Sequence, residues 1–287
     1  MKNDLTGGSG MKVYICMDME GISNVVTSYQ LMPNGSSPAL QEIREIATRE
    51  VNAAVEGAFE SGATEVLVNE NHSGGEIIPE LLDHRAHLFA GKPKRLMTAE
   101  ALEDYDVQFL IGLHPRMGSA DGVLDHTWCP KTIANFCING KPMGEIGLNA
   151  VYAAEFGIPT ALVTGCEAAC TEARNLLGNI ETVIVKKGYG RFAAICPHPE
   201  VNRKRIRAAA ANAVRNIEQI IPLTMKKPMR LEFHFFTSQQ ALMCTLIQGC
   251  QRVSDRTVRF QVPSFKEGIR VYMLTAIVHN AGSDPIY

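Results

Sequence analysis

The chain has 287 residues, of which 46% are hydrophobic and 20% are charged, as in an ordinary globular protein. Its formal net charge of −2 argues against nucleic acid or an anionic membrane as a partner. No apolar run approaches the roughly 20 residues that a transmembrane helix needs, and the polar start of the chain is not a signal peptide. We therefore expect a cytoplasmic enzyme or binding protein.

Eight cysteines are scattered along the chain. The nearest pair, Cys166 and Cys170, has the spacing of a helical turn rather than that of a C-x-x-C motif. Without a secretory signal, we expect reduced and mostly buried thiols rather than disulfides or a structural zinc site.

The first elements predict a βαβ unit. Residues 1–10 are predicted to be a flexible leader, and the apolar run from Met11 to Met17 predicts a buried strand. Apolar residues recur with helical spacing from Leu40 to Ser61, and a second strand follows in "TEVLVNENH". Strand, helix and strand in this order favour a right-handed crossover and a parallel sheet.

The alternation continues along the chain. Strands are predicted in "YDVQFLIGLHP", "IPTALVTG" and "ETVIVKKG", and helices in "GEIGLNAVYAAEFG", "CEAACTEARNLLG" and "PEVNRKRIRAAAANAVRNIEQI". We expect an α/β fold with a largely parallel open sheet flanked by helices, which forms a metal-binding domain over residues 11–221. After the linker-like "PLTMKKP", residues 229–287 are predicted to form a smaller C-terminal α/β lobe.

Side chains typical of metal ligands follow three of the predicted strands. Asp18 and Glu20 follow the first strand and lie two residues apart, so extended backbone would turn both to one side. His72 ends the second strand and His114 the third. The carboxyl ends of parallel strands meet at one edge of the sheet, where ligands bind. Two carboxylates at one point repel each other unless a cation lies between them.

Two further residues extend this set. Glu145 lies at the predicted start of a helix, and His126 lies in the turn-rich segment "GVLDHTW". Two histidines and three carboxylates suit zinc, with manganese or cobalt as alternatives, and five ligands suit two ions that share a carboxylate. Each residue taken singly has an ordinary structural explanation, such as a cap or a turn residue. The prediction of a metal site depends on their coincidence at one sheet edge.

The segments "MDMEGIS", "EVLVNENHS", "GLHPR…GVLDHT" and "GEIGLNA" stand in the order and approximate spacing of the D-aminopeptidase family. The chain resembles that family from about Met11 to its C-terminus. The resemblance implies a peptidase with two zinc ions per subunit and a homodecamer of two stacked rings around an internal chamber. It places the catalytic histidine on His126, the shared ligand on Asp18, and the metal ligands on Asp18, Glu20, His72, His114 and Glu145.

The resulting hypothesis is a zinc-dependent aminopeptidase or amide hydrolase. It would release N-terminal amino acids, of D configuration according to the resemblance, from short peptides or amino-acid amides. Metal-activated water would attack the amide carbonyl, while His126 stabilises the oxyanion or transfers a proton to the departing amine. Two alternatives stay open: a metal-dependent phosphohydrolase, and a non-catalytic binding or assembly protein stabilised by metal.

Overall fold

The computed structural model describes residues 10–31, 38–72, 74–92 and 94–277. The predicted leader, except for Gly10, and the last part of the predicted C-terminal lobe, residues 278–287, lie outside these ranges. The strands are β1 (Met11–Met17), β2 (Ala63–Glu70), β3 (Ala86–Phe89), β4 (Val107–Leu113), β5 (Ile133–Ile138), β6 (Lys141–Pro142), β7 (Thr160–Cys166), β8 (Glu181–Gly188), β9 (Ala194–Ile195), β10 (Met229–Phe235), β11 (Gln251–Ser254) and β12 (Thr257–Val262). The helices are α1 (Pro38–Glu60), α2 (Glu145–Glu155), α3 (Glu167–Leu177), α4 (Pro199–Arg215), α5 (Ser238–Cys244) and α6 (Phe265–Ile277).

A seven-stranded sheet forms the centre of the fold, in the order β3-β2-β1-β4-β7-β8-β9. Each neighbouring pair is parallel except β8 and β9, which run antiparallel. Helix α1 packs against α4, and α2 packs against α3. The predicted fold class, a largely parallel sheet flanked by helices, is confirmed.

The central strands carry the hydrophobic core. Every residue of β4 and β7 is buried, as are Val13–Met17 of β1. Strands covered on both faces are expected to be continuously apolar, which explains the unbroken apolar runs in the sequence. A fully buried side chain such as Phe109 contributes roughly 1.5–3 kcal/mol to the stability of the sheet. The strand ends that carry the candidate ligands are therefore held by a rigid core.

A second, antiparallel sheet has the order β11-β12-β10-β5-β6. Strand β10 pairs with β12 on one side and with β5 on the other, where Phe233 lies opposite Phe136. The predicted lobe over residues 229–287 thus shares its sheet with residues 133–142, because β10 has a second edge whose backbone groups need partners. The proposed division of the chain into domains stays a prediction.

Strand β5 and the four shortest strands have no counterpart among the elements predicted from the sequence. Strands β3, β6, β9 and β11 have two to four residues, too few for a periodic pattern to indicate them. Helix α1 spans Pro38–Glu60, close to its predicted bounds. Within the described ranges, no helix combines the length and the apolar character needed to cross a bilayer.

Candidate metal centre

Three neighbouring strands bring candidate ligands to one edge of the central sheet. Asp18 directly follows β1, and its backbone N–H donates to the carbonyl of Ile111 in β4 at 2.9 Å. His114 directly follows β4, and His72 lies two residues beyond β2. Since β1 lies between β2 and β4, the carboxyl ends of these three strands are adjacent.

Two glycines allow the backbones to approach closely behind this edge. A Cβ on Gly21 would lie 2.2 Å from the carbonyl oxygen of Leu113, and one on Gly112 would lie 2.2 Å from that of Asp18. Gly112 also has a φ of +74°, which side-chain-bearing residues rarely adopt. The pair lets the segment that carries Glu20 pass directly over the end of β4.

Asp18, Glu20 and His72 form the first group of candidate ligands, with ligand atoms all within 4.8 Å of one another. Nδ1 of His72 lies 2.8 Å from Oε2 of Glu20 and 3.5 Å from Oδ1 of Asp18. Both carboxylates are buried. The two acidic side chains at the end of β1 therefore turn toward the same imidazole.

His114, His126 and Glu145 form the second group. Nε2 of His114 lies 3.1 Å from Oε1 of Glu145, and the His126 ring stacks on the His114 ring with centroids 3.8 Å apart. Nε2 of His126 lies 3.9 Å from Oε1 of Glu145. Glu145 begins α2, and its Oε1 also accepts the backbone N–H of Trp128 at 2.8 Å.

Asp18 lies between the two groups. Its Oδ1 lies 3.5 Å from His72 and its Oδ2 lies 3.6 Å from Nε2 of His114. The structure thus brings all six side chains singled out from the sequence into one cleft, with one carboxylate in contact with both groups.

The histidines of the cleft supply positive charge to the carboxylates. Burial opposes a charged His114, but the charge of Glu145 and its close contact with Nε2 raise the pKa of His114 to about 10. Burial likewise acts against a charged His72, yet Glu20 and Asp18 raise its pKa well above the usual value. Burial raises the pKa of Asp18, but His72 and His114 more than offset this and lower it. A bound cation would replace these protons as the source of positive charge.

Backbone carbonyls fix two of the imidazole rings. Nδ1 of His114 lies 3.0 Å from the carbonyl oxygen of Pro115, and Nδ1 of His126 lies 2.8 Å from that of Leu124. A carbonyl oxygen only accepts, so each Nδ1 carries the proton and each Nε2 is left to face the cleft. Metal-binding histidines are commonly held in this way.

The donor atoms fit zinc. Among the described residues, Nε2 of His114 and Oε2 of Glu20 are buried without a hydrogen-bond partner. Each has a close neighbour in the cleft, but these contacts lack hydrogen-bond geometry. Two atoms bound to one zinc ion at ~2.1 Å can lie up to about 4.2 Å apart. The contacts of 2.8–3.9 Å described within the two groups lie below this limit. Mixed imidazole and carboxylate donors are also ligands that zinc prefers.

Glu70, at the end of β2, holds the loop that carries His72. Its carboxylate accepts the backbone N–H groups of Gly75, Ile77 and Gly91 at 2.9–3.1 Å. Nζ of Lys94 donates to the carbonyl of Glu70 at 2.6 Å. Removal of this carboxylate would leave the three backbone N–H groups without an acceptor, and the loop would lose these contacts.

Lys186 of β8 holds the segment that carries Glu20. Its buried ammonium donates to the carbonyls of Glu20, Ile22 and Val25 at 2.6, 2.9 and 2.5 Å. Burial lowers the pKa of Lys186 to about 8. Neither Lys186 nor Glu70 was predicted as a functional residue, since a lysine or glutamate within an apolar strand has no local signal for such a contact.

A cavity of about 530 Å³ opens from the cleft, within the range usual for small-molecule sites. Apolar walls are supplied by Leu31, Leu124, Trp128 and Phe192. The cavity lining also includes three cationic side chains and one amide: Lys92, Lys131, Arg191 and Asn71. The cavity can hold a short peptide or amide next to the candidate ligands.

Comparisons with known proteins agree with this geometry. The family model described as D-aminopeptidase matches residues 11–274. A D-aminopeptidase of Bacillus subtilis (strain 168) is 32% identical over 267 residues, which cover 92% of this chain and 96% of that protein. A solved structure described as the Zn-dependent D-aminopeptidase DppA from Bacillus subtilis, a self-compartmentalizing protease, has a TM-score of 0.91 and 31% identity. The match covers 96% of this chain and 100% of that one. The resemblance inferred from the motifs is confirmed, and the chain belongs to the D-aminopeptidase family.

Proposed function

We propose that this protein is a zinc-dependent aminopeptidase that releases N-terminal amino acids of D configuration from short peptides or amino-acid amides. The observation that carries the proposal is the gathering of three carboxylates and three imidazoles in one buried cleft beside a cavity. The family match and the zinc-dependent relative of known structure support it. A phosphohydrolase and a non-catalytic metal protein, the two alternatives, have no such support.

We assign two zinc ions to each chain, with manganese or cobalt as alternatives. Asp18, Glu20 and His72 would hold one ion, and His114 and Glu145 the other, with Asp18 shared between them. The position of Asp18 between the two groups supports this division. Bound zinc supplies a Lewis acid that polarises the scissile carbonyl and lowers the pKa of water to near neutrality.

His126 is the proposed catalytic residue. Its Nδ1–H is held by the carbonyl of Leu124, which turns Nε2 toward Glu20 and Glu145, 3.9 Å from each carboxylate. When both ring nitrogens carry a proton, Nε2 can donate a hydrogen bond to the carbonyl oxygen as negative charge develops there. The same atom can deliver a proton to the nitrogen of the departing amine.

We further propose that the protein forms a homodecamer with its active sites facing an internal chamber, and that it works in the cytoplasm. The description of the solved relative as a self-compartmentalizing protease supports an assembly. The eight cysteines, all within the described residues, form no disulfides there, as is usual in a reducing compartment. Only short or unfolded peptides would then reach the cavity.

The test is a hydrolysis assay of the zinc-loaded protein on matched D- and L-alanyl amides, with chelated protein as the control. We expect zinc-dependent release of alanine that is faster from the D substrate. Faster hydrolysis of the L substrate would overturn the assigned configuration. Bound zinc without amide hydrolysis would overturn the peptidase, and turnover of p-nitrophenyl phosphate in that sample would identify the phosphohydrolase instead.

A further inference from the structure

The cavity beside the candidate metal centre is lined by both acidic and basic side chains. Asp18, Glu20 and Glu145 are buried carboxylates, whereas Lys92 and Lys131 are exposed and line the same cavity. The carboxylates are the proposed ligands of the zinc ions, so the lysines are the charged groups left to contact a substrate beside the metal centre. Such side chains favour a ligand that carries a negative charge.

Lys92 is fixed beside the metal centre. Its ammonium donates to the backbone carbonyl of His72 and lies 5.6 Å from the centroid of the Trp128 ring. Among the described residues no carboxylate pairs with it. Because His72 is a candidate metal ligand, this contact places the positive charge of Lys92 close to the metal centre.

Lys131 and Arg191 are the other cations of the lining, and they differ in their partners. Nε of Arg191 lies 3.0 Å from Oδ1 of Asp125, and its NH2 donates to the carbonyl of Asp125 at 2.8 Å. The ammonium of Lys131 has no ion-pair partner in the part of the chain that the structure describes. Lys131 is therefore available to an anionic ligand, whereas Arg191 is already paired.

Asn71 adds a buried donor to the same wall. Its side chain is only 4% exposed and lines the cavity. Within the described ranges, its Nδ2 has no hydrogen-bond partner. A buried amide N–H without an acceptor costs free energy unless a ligand or water accepts its hydrogen bond.

We propose that Lys92, Lys131 and Asn71 form a subsite for the C-terminal carboxylate of the substrate. This inference rests on the proposed peptidase function and names its substrate class: free short peptides, preferred over peptides with a blocked carboxyl group. The three residues contribute donors and positive charge, which match a carboxylate.

The size of a dipeptide is compatible with this arrangement. Its carboxyl carbon lies one residue beyond the scissile carbonyl, which is roughly 3.5 Å along an extended chain. A carboxylate held by the subsite thus leaves the first peptide bond at the metal centre. This positioning also explains the release of a single N-terminal residue.

The experiment compares alanyl-alanine with alanyl-alaninamide, in D,D and L,L forms, as substrates of the zinc-loaded protein. We expect kcat/KM for release of the first alanine to be at least about tenfold higher for the free acid. Lys131→Gln should reduce this acid-to-amide ratio by about tenfold, mainly through KM. Lys141→Gln, an exposed lysine on β6 outside the cavity, is the matched control and should keep the wild-type ratio.

The outcomes separate this inference from the proposed function. Equal kcat/KM for the acid and the amide in the wild type would overturn the subsite while leaving the peptidase intact. A wild-type ratio in both Lys131→Gln and Lys92→Gln would also overturn it. Hydrolysis of neither substrate by protein with its full zinc content would overturn the peptidase and the subsite together. Zinc content is measured in each variant, because loss of metal would lower both rates and leave their ratio unchanged.

Discussion

The two oxygens of Asp18 face candidate ligands of both groups, one of them His72 and the other His114. A carboxylate between two cations reduces their mutual repulsion, which no ligand of a single ion does. Loss of Asp18 should therefore disturb both metal positions, whereas loss of a peripheral ligand should disturb one.

We predict that Asp18→Ala purifies with less than half of the wild-type zinc content. The measurement is zinc per chain by inductively coupled plasma mass spectrometry. Asp255→Ala, an exposed aspartate in the turn between β11 and β12, is the control and should keep its metal. Wild-type zinc content in Asp18→Ala would remove Asp18 from the metal centre.

His126 lies close to Glu20 and Glu145, two of the proposed metal ligands. A metal ligand and a catalytic residue at this position differ in the effect that their removal has on the zinc content. We predict that His126→Ala keeps both zinc ions and its fold but loses ~10²–10³-fold in kcat, the usual cost of one such group. His87→Ala, on β3 and exposed, serves as the control. Loss of one zinc ion would instead make His126 a ligand, and near-native kcat would exclude it from catalysis.

Among the elements, β8 supports the metal centre from a distance. Lys186 lies 166 residues from Glu20 in the sequence, yet it binds the backbone that presents that carboxylate. A network around Ser23 lies beside it, where Glu50 of α1 accepts the N–H of Ser23 and Asn202 of α4 donates to its hydroxyl. Three elements thus hold the segment between β1 and α1.

We predict that Lys186→Met lowers the free energy of unfolding by about 3 kcal/mol, because three buried carbonyls lose their charged donor. It should also weaken zinc binding, because the carbonyl of Glu20 is one of the three. Urea unfolding and competition with a zinc chelator measure the two effects. Lys187→Met, at the exposed neighbouring position, is the control. Wild-type zinc affinity in Lys186→Met would show that this lysine does not position Glu20.

Glu50 gives the network a pH dependence. Burial raises the pKa of Glu50 from 4.5 to about 7, although Ser23 and Lys186 oppose the change. The folded protein holds this proton more tightly than the unfolded chain does. The stability gained from Glu50 is therefore fully present below pH 4.5 and is lost as the pH rises through 7.

We predict that Glu50→Gln, which keeps the shape of the neutral acid, gains stability relative to the wild type as the pH rises. The difference in free energy of unfolding should grow by about 3 kcal/mol between acidic pH and about pH 8. Urea unfolding across this range measures it, with Glu42→Gln on the exposed face of α1 as the control. A pH-independent difference would contradict the prediction.

Elements with a sequence pattern of their own were predicted, whereas elements that depend on contacts with distant parts of the chain were missed. Central strands such as β4 are continuously apolar, and helix α2 begins at Glu145 after a glycine, so sequence alone indicates them. Strand β5 was missed because its stability comes from pairing with β10, about 90 residues later. The candidate ligands were found because they follow apolar strands, whereas Lys186 and Glu70 act through contacts that no local pattern encodes.

At the scale of the whole molecule, several large apolar side chains remain exposed in the single chain. Tyr189, Phe192 and Ile195 lie within one hairpin and are 58–62% exposed. Apolar surface concentrated in this way often marks a contact between subunits. It is therefore consistent with the proposed assembly.

We predict that the purified protein sediments with ten times the 31.4 kDa mass of one chain. Sedimentation velocity and native mass spectrometry at several protein concentrations measure this mass. A monomer or dimer at all concentrations would contradict the proposed decamer without affecting the metal centre.

We propose that five side chains from separate parts of the chain hold two zinc ions, with His126 beside them. Crystallographic anomalous scattering on either side of the zinc absorption edge is the sharpest test of this arrangement. We expect two zinc peaks per chain, on either side of Asp18 and each ~2.0–2.2 Å from its ligand atoms. A fully zinc-loaded crystal with no peak between Asp18 and either histidine, His72 or His114, would contradict it.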